Sequence, residues 1–177
     1  MRARIWMTAG LLLAAAGCGK APEETGAGGE ASVLAAEIVA VAAADLPADV
    51  RAAALARIPD LAITGAERKR RDGMTFYDVE GTRGDGSEVE LDLIEEGGRW
   101  RVVEVQRDIA WADAPAEVRA AAAAAPDAFA PVRVIESVQA DGAVIYELFA
   151  AGRPGEPASE VDWKDGRAAM RRTRNAY

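Results

Sequence analysis

The sequence predicts an α+β fold built from two tandem units, each a helix packed on an antiparallel β-sheet of hairpins. Three observations lead to this prediction. One stretch of the chain recurs further along, two short segments place apolar residues every fourth position, and the segments after them alternate or are rich in β-forming residues between Gly-containing turns. Helices followed by runs of strands are typical of this fold class.

The repeat joins DLPADVRAAALARIPD at 45–60 to DAPAEVRAAAAAAPD at 113–127. Both segments contain Asp, Pro, Val, Arg and a closing Pro-Asp in the same order. The similarity continues downstream, where Asp72-Gly73 matches Asp141-Gly142 and Ser87-Glu88-Val89 matches Ser159-Glu160-Val161. Two diverged copies of one unit explain these matches, with boundaries predicted at 33–111 and 112–177.

Each unit is predicted to begin with a helix. A proline falls in the first turn of each, where its missing N–H costs nothing, and Pro59 and Pro126 end the two helices. The apolar face of the first helix consists of Leu46, Val50, Ala54 and Ile58, and that of the second consists of Ala114, Val118 and Ala122. Because the second face is mostly alanine, we expect that helix to lie closer to its sheet or to cover less of it.

Hairpin strands are predicted after each helix. The joints Asp72-Gly73, Gly84-Asp85-Gly86 and Gly97-Gly98 are typical of tight turns. On one strand Val89, Leu91 and Leu93 point one way and Glu88, Glu90 and Asp92 the other, which predicts a packed face and a solvated face. The segment 33–44 stays open between helix, from its alanine content, and strand, from its position ahead of the first unit.

The N-terminus has the features of a bacterial lipoprotein export signal. Arg2 and Arg4 precede an apolar run that is shorter than the roughly 20 residues of a membrane span. The run ends in LAAAGC, which resembles a lipobox, so residues 1–17 are predicted to be a signal peptide and Cys18 the lipid attachment site. Ordinary cleavage after Ala16, which would leave a free thiol, is the alternative. By resemblance to Gram-negative sorting signals, Gly19 favours the outer membrane, facing the periplasm.

Composition narrows the class of function. Residues 18–32, rich in Gly, Ala, Pro and Glu, are predicted to be a flexible tether. The net charge of −8 argues against nucleic acid as a partner. Histidine is absent and there is one cysteine, which removes the commonest general base, the commonest metal ligand and any intramolecular disulfide.

The repeated units resemble PepSY-like, beta-lactamase-inhibitor-protein-like periplasmic domains. The resemblance rests on a helix opening with LPxxV, a proline stop, a hairpin written DG-x-x-x-Y-x-V and a strand bearing a tryptophan. In the first copy its residues are Leu46, Pro47, Val50, Pro59, Gly73, Tyr77, Val79 and Trp100. The second copy has Pro115, Val118, Pro126, Gly142, Tyr146 and Leu148, but Ala114 stands for the leucine and the tryptophan is missing. The resemblance implies exported, non-catalytic domains that bind or inhibit envelope proteins.

The sequence predicts no catalytic site, no metal site and no cofactor. Glu88, Glu90 and Asp92 share a strand face and could hold a cation, but without the spacing of a calcium loop we interpret them as a solvated face. Ser87 and Ser159 have no nearby base to activate them. The protein is therefore predicted not to be an enzyme.

Aromatic residues on the strands are the sequence's best indication of a binding surface. Tyr77, Tyr146 and Trp163, together with Asp85 in a Gly-flanked turn, are the predicted partner-binding residues. The leading hypothesis is a non-catalytic protein that binds or inhibits an envelope protein. The second is a carrier or sensor of small amphiphiles, which requires an apolar pocket between helix and sheet. The third is an enzyme, which requires a cleft with carboxylates of perturbed pKa.

Overall fold

The computed structural model describes residues 37–171. The predicted signal peptide, the tether and Cys18 lie outside the described residues, as do residues 33–36 and 172–177 of the predicted units. The described chain forms nine strands, two α-helices and two 3₁₀ turns. In chain order these are β1 Glu37–Ala42, a turn Ala43–Asp45, α1 Ala48–Arg57, β2 Ala62–Arg71, β3 Met74–Thr82, β4 Glu88–Glu96, β5 Arg99–Ile109, a turn Trp111–Asp113, α2 Ala116–Ala123, β6 Arg133–Gln139, β7 Val144–Phe149, β8 Ser159–Lys164 and β9 Arg167–Met170.

All nine strands belong to one sheet, in the order of the sequence and antiparallel throughout. The predicted hairpin turns at 72–73 and 97–98 are confirmed. Asp72 and Gly73 have φ values of 53° and 77°, as a two-residue hairpin turn of type I′ requires. Residues 37–42 form a strand, so the strand interpretation of this ambiguous segment is correct for the part that is described.

The predicted helices are confirmed, including their buried faces. α1 follows Pro47, and the Asp49 carboxylate in its first turn accepts a hydrogen bond from the N–H of Val50. All seven residues of the two predicted apolar faces are buried. α1 ends where Ile58 becomes extended, because the residue before a proline is pushed out of the helical region.

Two hydrophobic clusters lie between the helices and the sheet. The first joins α1 to β3, β4 and β5 and includes the fully buried Val79, Leu91 and Leu93. The second joins α2 to β6, β7 and β8 and includes Val118, Val134 and Val161. Side chains alternate between the two faces of a strand. The register of each strand pair places the core residues of both clusters on one face of the sheet, including across the β5–β6 pair. Both helices therefore lie on the same face.

The predicted fold class is wrong in one essential respect. The protein is mostly one nine-stranded antiparallel sheet with two helices, and not two tandem helix-on-sheet units. β5 pairs with β6 across the predicted boundary, in a register that runs from Glu104 opposite Gln139 to Ile109 opposite Val134. The physical reason is that a strand edge offers unpaired N–H and C=O groups, and pairing β5 with β6 removes two such edges at once.

Candidate binding face

The face of the sheet opposite the helices is called the helix-free face here, because neither α1 nor α2 packs on it. It is defined by the side chains that alternate with the core residues. They include Glu67 and Lys69 on β2, Phe76, Asp78 and Glu80 on β3, Glu88, Glu90, Asp92 and Ile94 on β4, Arg101, Glu104, Gln106 and Asp108 on β5, Arg133, Ile135, Ser137 and Gln139 on β6, Ile145, Glu147 and Phe149 on β7, and Glu160 and Asp162 on β8. Carboxylates outnumber every other kind of group on this face.

Three strands bring carboxyl groups together at one place on this face. Asp78 on β3 lies directly opposite Asp92 on β4, which in turn lies opposite Glu104 on β5. Glu90 is two residues from Asp92 and points the same way. One carboxylate oxygen from each of Asp78, Glu90 and Asp92, the acidic cluster, lies within 4.8 Å of those from the other two. Like charges directly opposite in a sheet are destabilising, so the backbone fold by itself does not favour this arrangement.

Burial makes the repulsion in the acidic cluster stronger. Removal from solvent, reinforced by the charge of Asp78, raises the pKa of Glu90 to about 7. Burial and the charges of Asp78 and Glu104 hold the pKa of Asp92 well above its usual range. The interpretation of Glu90 and Asp92 as part of a solvated face is therefore wrong, because only Glu88 of the three predicted acids is exposed.

One lysine partly compensates these charges. The Lys69 ammonium forms an ion pair with Asp78. Burial opposes the charge on Lys69, but the carboxylates of Asp78, Asp92 and Glu90 outweigh burial, so the pKa of Lys69 is raised. Oδ1 of Asp92 is fully buried and has no hydrogen-bond partner among the described residues.

The second half of the helix-free face, on β6 to β8, is more apolar but also holds a carboxyl group of raised pKa. Ile135, Ile145 and Phe149 are buried there, and the Arg133 guanidinium lies 5.0 Å from the centre of the Phe149 ring. Burial, together with the charges of Glu104 and Glu160, raises the pKa of Glu147 to about 7.

The aromatic residues predicted to bind a partner lie on the opposite, helix-bearing face. Tyr77 is buried in the first cluster, with its ring at 5.1 Å from that of Trp100 in an edge-to-face contact. Tyr146 is buried in the second cluster and donates a hydrogen bond of 3.3 Å to Glu136. Burial and the Glu136 charge raise the pKa of Tyr146 to about 12.

The two other predicted binding residues are also separate from the acidic cluster. Trp163 packs against the second cluster, and Asp85 is exposed in the β3–β4 turn, where it accepts hydrogen bonds from the backbone N–H and hydroxyl of Ser87. The structure thus does not bring the four predicted residues together. That they contact a partner stays a prediction.

The sequence pattern missed the cross-strand partners of its own acidic strand. Glu90 and Asp92 were visible as an alternating pair, but Asp78 and Glu104 join them only through strand register. The sequence did indicate that Asp78 and Glu104 lie on strands, because each alternates with apolar residues in a β-rich run.

Comparison with protein families gives a match in the first half of the chain. Residues 47–93 match the model described as PepSY, Peptidase propeptide and YPEB domain. This segment is therefore similar to a PepSY domain. It spans α1 to β4, and so includes Asp78, Glu90 and Asp92. Comparisons with curated proteins and with solved structures gave no match. The description of the matched family as a peptidase propeptide domain is consistent with a non-catalytic binding role.

The described residues bear on the other two hypotheses as well. The space between α1 and the sheet, where an amphiphile would sit, is filled by Leu91, Leu93 and Ile58. The enzyme hypothesis predicted carboxylates of perturbed pKa inside a cleft. Such carboxylates are present on β4 and β7. A cavity of about 290 Å³ among the described residues is lined by the α2–β6 loop, β8 and β9 and includes Glu160, but none of Glu90, Asp92 and Glu147 lines it. No helix among residues 37–171 is long and apolar enough to cross a membrane.

Proposed function

We propose that this protein is a non-catalytic binding protein of the bacterial envelope, which holds a basic segment of another envelope protein on its helix-free face and thereby inhibits it. The observation that carries the proposal is the acidic cluster on that face, within the PepSY-like segment. The cluster is costly to the fold on its own, and groups of this kind are usually retained for binding or function.

The charge of the face determines the kind of partner that fits it. One lysine faces the carboxyl groups of Asp78, Glu90, Asp92 and Glu104 from β2. A partner that inserts Lys or Arg side chains would relieve the repulsion between them. The net charge of −8 would also steer a basic partner toward the protein over longer distances.

Attachment to the membrane completes the proposal. Cys18 would carry the lipid and residues 18–32 would hold the sheet away from the membrane surface, on the periplasmic side of the outer membrane. Mass spectrometry of the mature N-terminus tests this. We expect a lipid-modified Cys18, whereas an unmodified cysteine or a terminus at Gly17 would contradict the anchor.

Cross-linking in cells can locate the docking surface. A photoreactive amino acid at Ile94, which is half-buried on the helix-free face, should form an adduct with one envelope protein. The same amino acid at Arg119, exposed on α2, serves as the control and should not. Equal adducts from both positions, or adducts from Arg119 alone, would overturn the choice of face.

A charge variant tests the chemistry of the interaction once that partner is purified. Gln106 lies directly opposite Glu90 on the helix-free face. We expect Gln106→Lys to weaken binding at least tenfold, because the added ammonium competes for the carboxylates that the partner uses. Ala120→Lys makes the same change in net charge on the exposed side of α2 and should leave the affinity unchanged. Equal losses in both variants would contradict a local site.

A further inference from the structure

The acidic cluster has the composition and spacing of a cation site. We propose that Asp78, Glu90 and Asp92 bind a hard divalent cation, with Ca²⁺ the ion that fits best. Their ligand oxygens come from two paired strands and lie within 4.8 Å of one another. Oxygens on opposite sides of a Ca²⁺ ion are about 4.8 Å apart, because Ca–O distances are about 2.4 Å.

A second observation, on Asp92 alone, points to a ligand. Its Oδ1 atom is inaccessible to solvent and receives no hydrogen bond from the described residues. Leaving a buried carboxylate oxygen without a partner costs more than leaving a neutral acceptor, since the lost hydration is that of a charge. The neighbours across the ladder, Asp78 and Glu104, are acceptors when ionised and cannot supply the missing contact. A cation between the strands would supply it.

Lys69 is the internal competitor for this site. Its ammonium pairs with Asp78 and also feels the charges of Asp92 and Glu90. A single positive charge with one direct carboxylate contact leaves the cluster under-compensated. A divalent ion placed between the strands would contact all three carboxylates at once, whereas the Lys69 ammonium forms an ion pair, among the described carboxylates, with Asp78 alone. The lysine should therefore lower the affinity for the cation without preventing its binding.

The donor set selects the class of ion. The cluster offers only carboxylate oxygens, and the chain has no histidine and a single cysteine at position 18. Oxygen donors favour Ca²⁺, Mg²⁺ or Mn²⁺ over the transition metals that prefer nitrogen and sulfur. Mg²⁺ requires near-octahedral geometry at about 2.1 Å and keeps its waters, whereas Ca²⁺ accepts irregular geometry, so donors fixed on two rigid strands suit Ca²⁺ better.

Calorimetric titration of the full chain with CaCl₂ tests the proposal. We expect saturable binding at one site, with a dissociation constant on the order of 10⁻⁴ M as in extracellular calcium modules. Asp92→Asn keeps the shape of the side chain but removes its charge and should weaken binding at least tenfold. Lys69→Gln removes the competitor and should strengthen it. Glu147→Gln removes a carboxylate three strands away on the same face and should leave it unchanged.

Several outcomes would overturn the cation site. The first is the absence of a saturable heat signal up to about 10 mM CaCl₂, a concentration roughly a hundredfold above the expected dissociation constant. The second is equal binding of Ca²⁺ by wild type and Asp92→Asn. The third is an equal loss of affinity in Asp92→Asn and Glu147→Gln. Circular dichroism checks that each variant is folded. If Asp92→Asn does not fold, Lys69→Gln decides, and Ca²⁺ binding by Lys69→Gln that is weaker than that of wild type overturns the proposal.

The cation would occupy the same carboxylates that the proposed function assigns to a basic segment, so Ca²⁺ should compete with that partner. A failure of cation binding would overturn the cation site alone, since the proposed function needs only the charge of the face.

Discussion

At the scale of single residues, Glu147 shows how burial on the helix-free face links stability to pH. Its pKa is raised to about 7 by burial and by the charges of Glu104 and Glu160, against 4.5 for the free side chain. The folded protein thus keeps a proton on Glu147 that the unfolded chain loses at lower pH. The contribution of Glu147 to the free energy of unfolding therefore falls as pH rises from about 4.5 to 7, by an amount on the order of 3 kcal/mol.

Replacing Glu147 by glutamine should remove this dependence. We expect Glu147→Gln to be more stable than wild type at pH 8 and to differ little from it at pH 4, because the charge that costs energy is never formed. Urea denaturation at both pH values measures this. Glu95→Gln, on the exposed end of β4, is the control and should follow wild type at both pH values. A wild-type protein that gains stability between pH 5 and 7 relative to Glu147→Gln would refute the assignment.

At the scale of elements, the approach of β3 to the start of β2 depends on one glycine. Gly81 is buried, and a Cβ there would lie 2.7 Å from Cδ1 of Leu61 and 2.8 Å from the backbone oxygen of Ala62. The oxygen belongs to the backbone and cannot rotate away. The pairing of β2 with β3 is also irregular between Ile63 and Gly65, so this end of the hairpin already departs from a regular ladder.

Gly81→Ala should therefore destabilise the protein by about 1 to 3 kcal/mol, the usual cost of overpacking. Gly65→Ala is the matched control on the neighbouring strand, since its Cβ would approach nothing closer than the Val41 backbone oxygen at 3.8 Å. Chemical denaturation of both variants provides the comparison. A Gly81→Ala variant as stable as Gly65→Ala would mean that the two strands separate easily at this point.

At the scale of the whole molecule, β5 couples the two hydrophobic clusters. Val105 belongs to the cluster under α1, while Ile109, four residues later on the same strand, packs against the cluster under α2. β5 is also hydrogen-bonded to both β4 and β6. Losing either half would expose an edge of β5 or β6 and part of the other half's apolar surface, so we expect one cooperative unfolding unit.

A core substitution in one half should consequently weaken the other. Val118→Ala in α2, at a fully buried position, should cost about 2 kcal/mol of unfolding free energy. Hydrogen exchange measured by mass spectrometry would show this loss equally in the amides of β7 and of β4, which belongs to the first cluster. If β4 keeps its wild-type protection while β7 loses it, the halves unfold independently.

How far the sequence could predict this protein depends on the range of the interactions concerned. Helix starts at Pro47 and Pro115, the turn at Asp72-Gly73 and the buried faces around Val50 and Val118 were all predictable, because each depends on residues within one or two turns of the chain. The acidic cluster was predictable only in part. Its β4 members follow from alternation, but the register that sets Asp78 opposite Asp92 is a property of a strand pair.

By itself, the sequence determined the local elements, the faces that become buried and the likeness to PepSY domains that the match over residues 47–93 supports. Only the tertiary structure decided that the two halves share one sheet and that one buried and two half-buried carboxyl groups on neighbouring strands meet in a cluster. In both cases the deciding contacts join residues of different strands, and the longer-range case is the pairing of β5 with β6. A connection of 23 residues separates β5 from β6. Their pairing is favoured because it satisfies the hydrogen-bonding groups of two strand edges over a shared core, and it must offset the entropy of closing the connection. A local sequence pattern contains no information about either free energy.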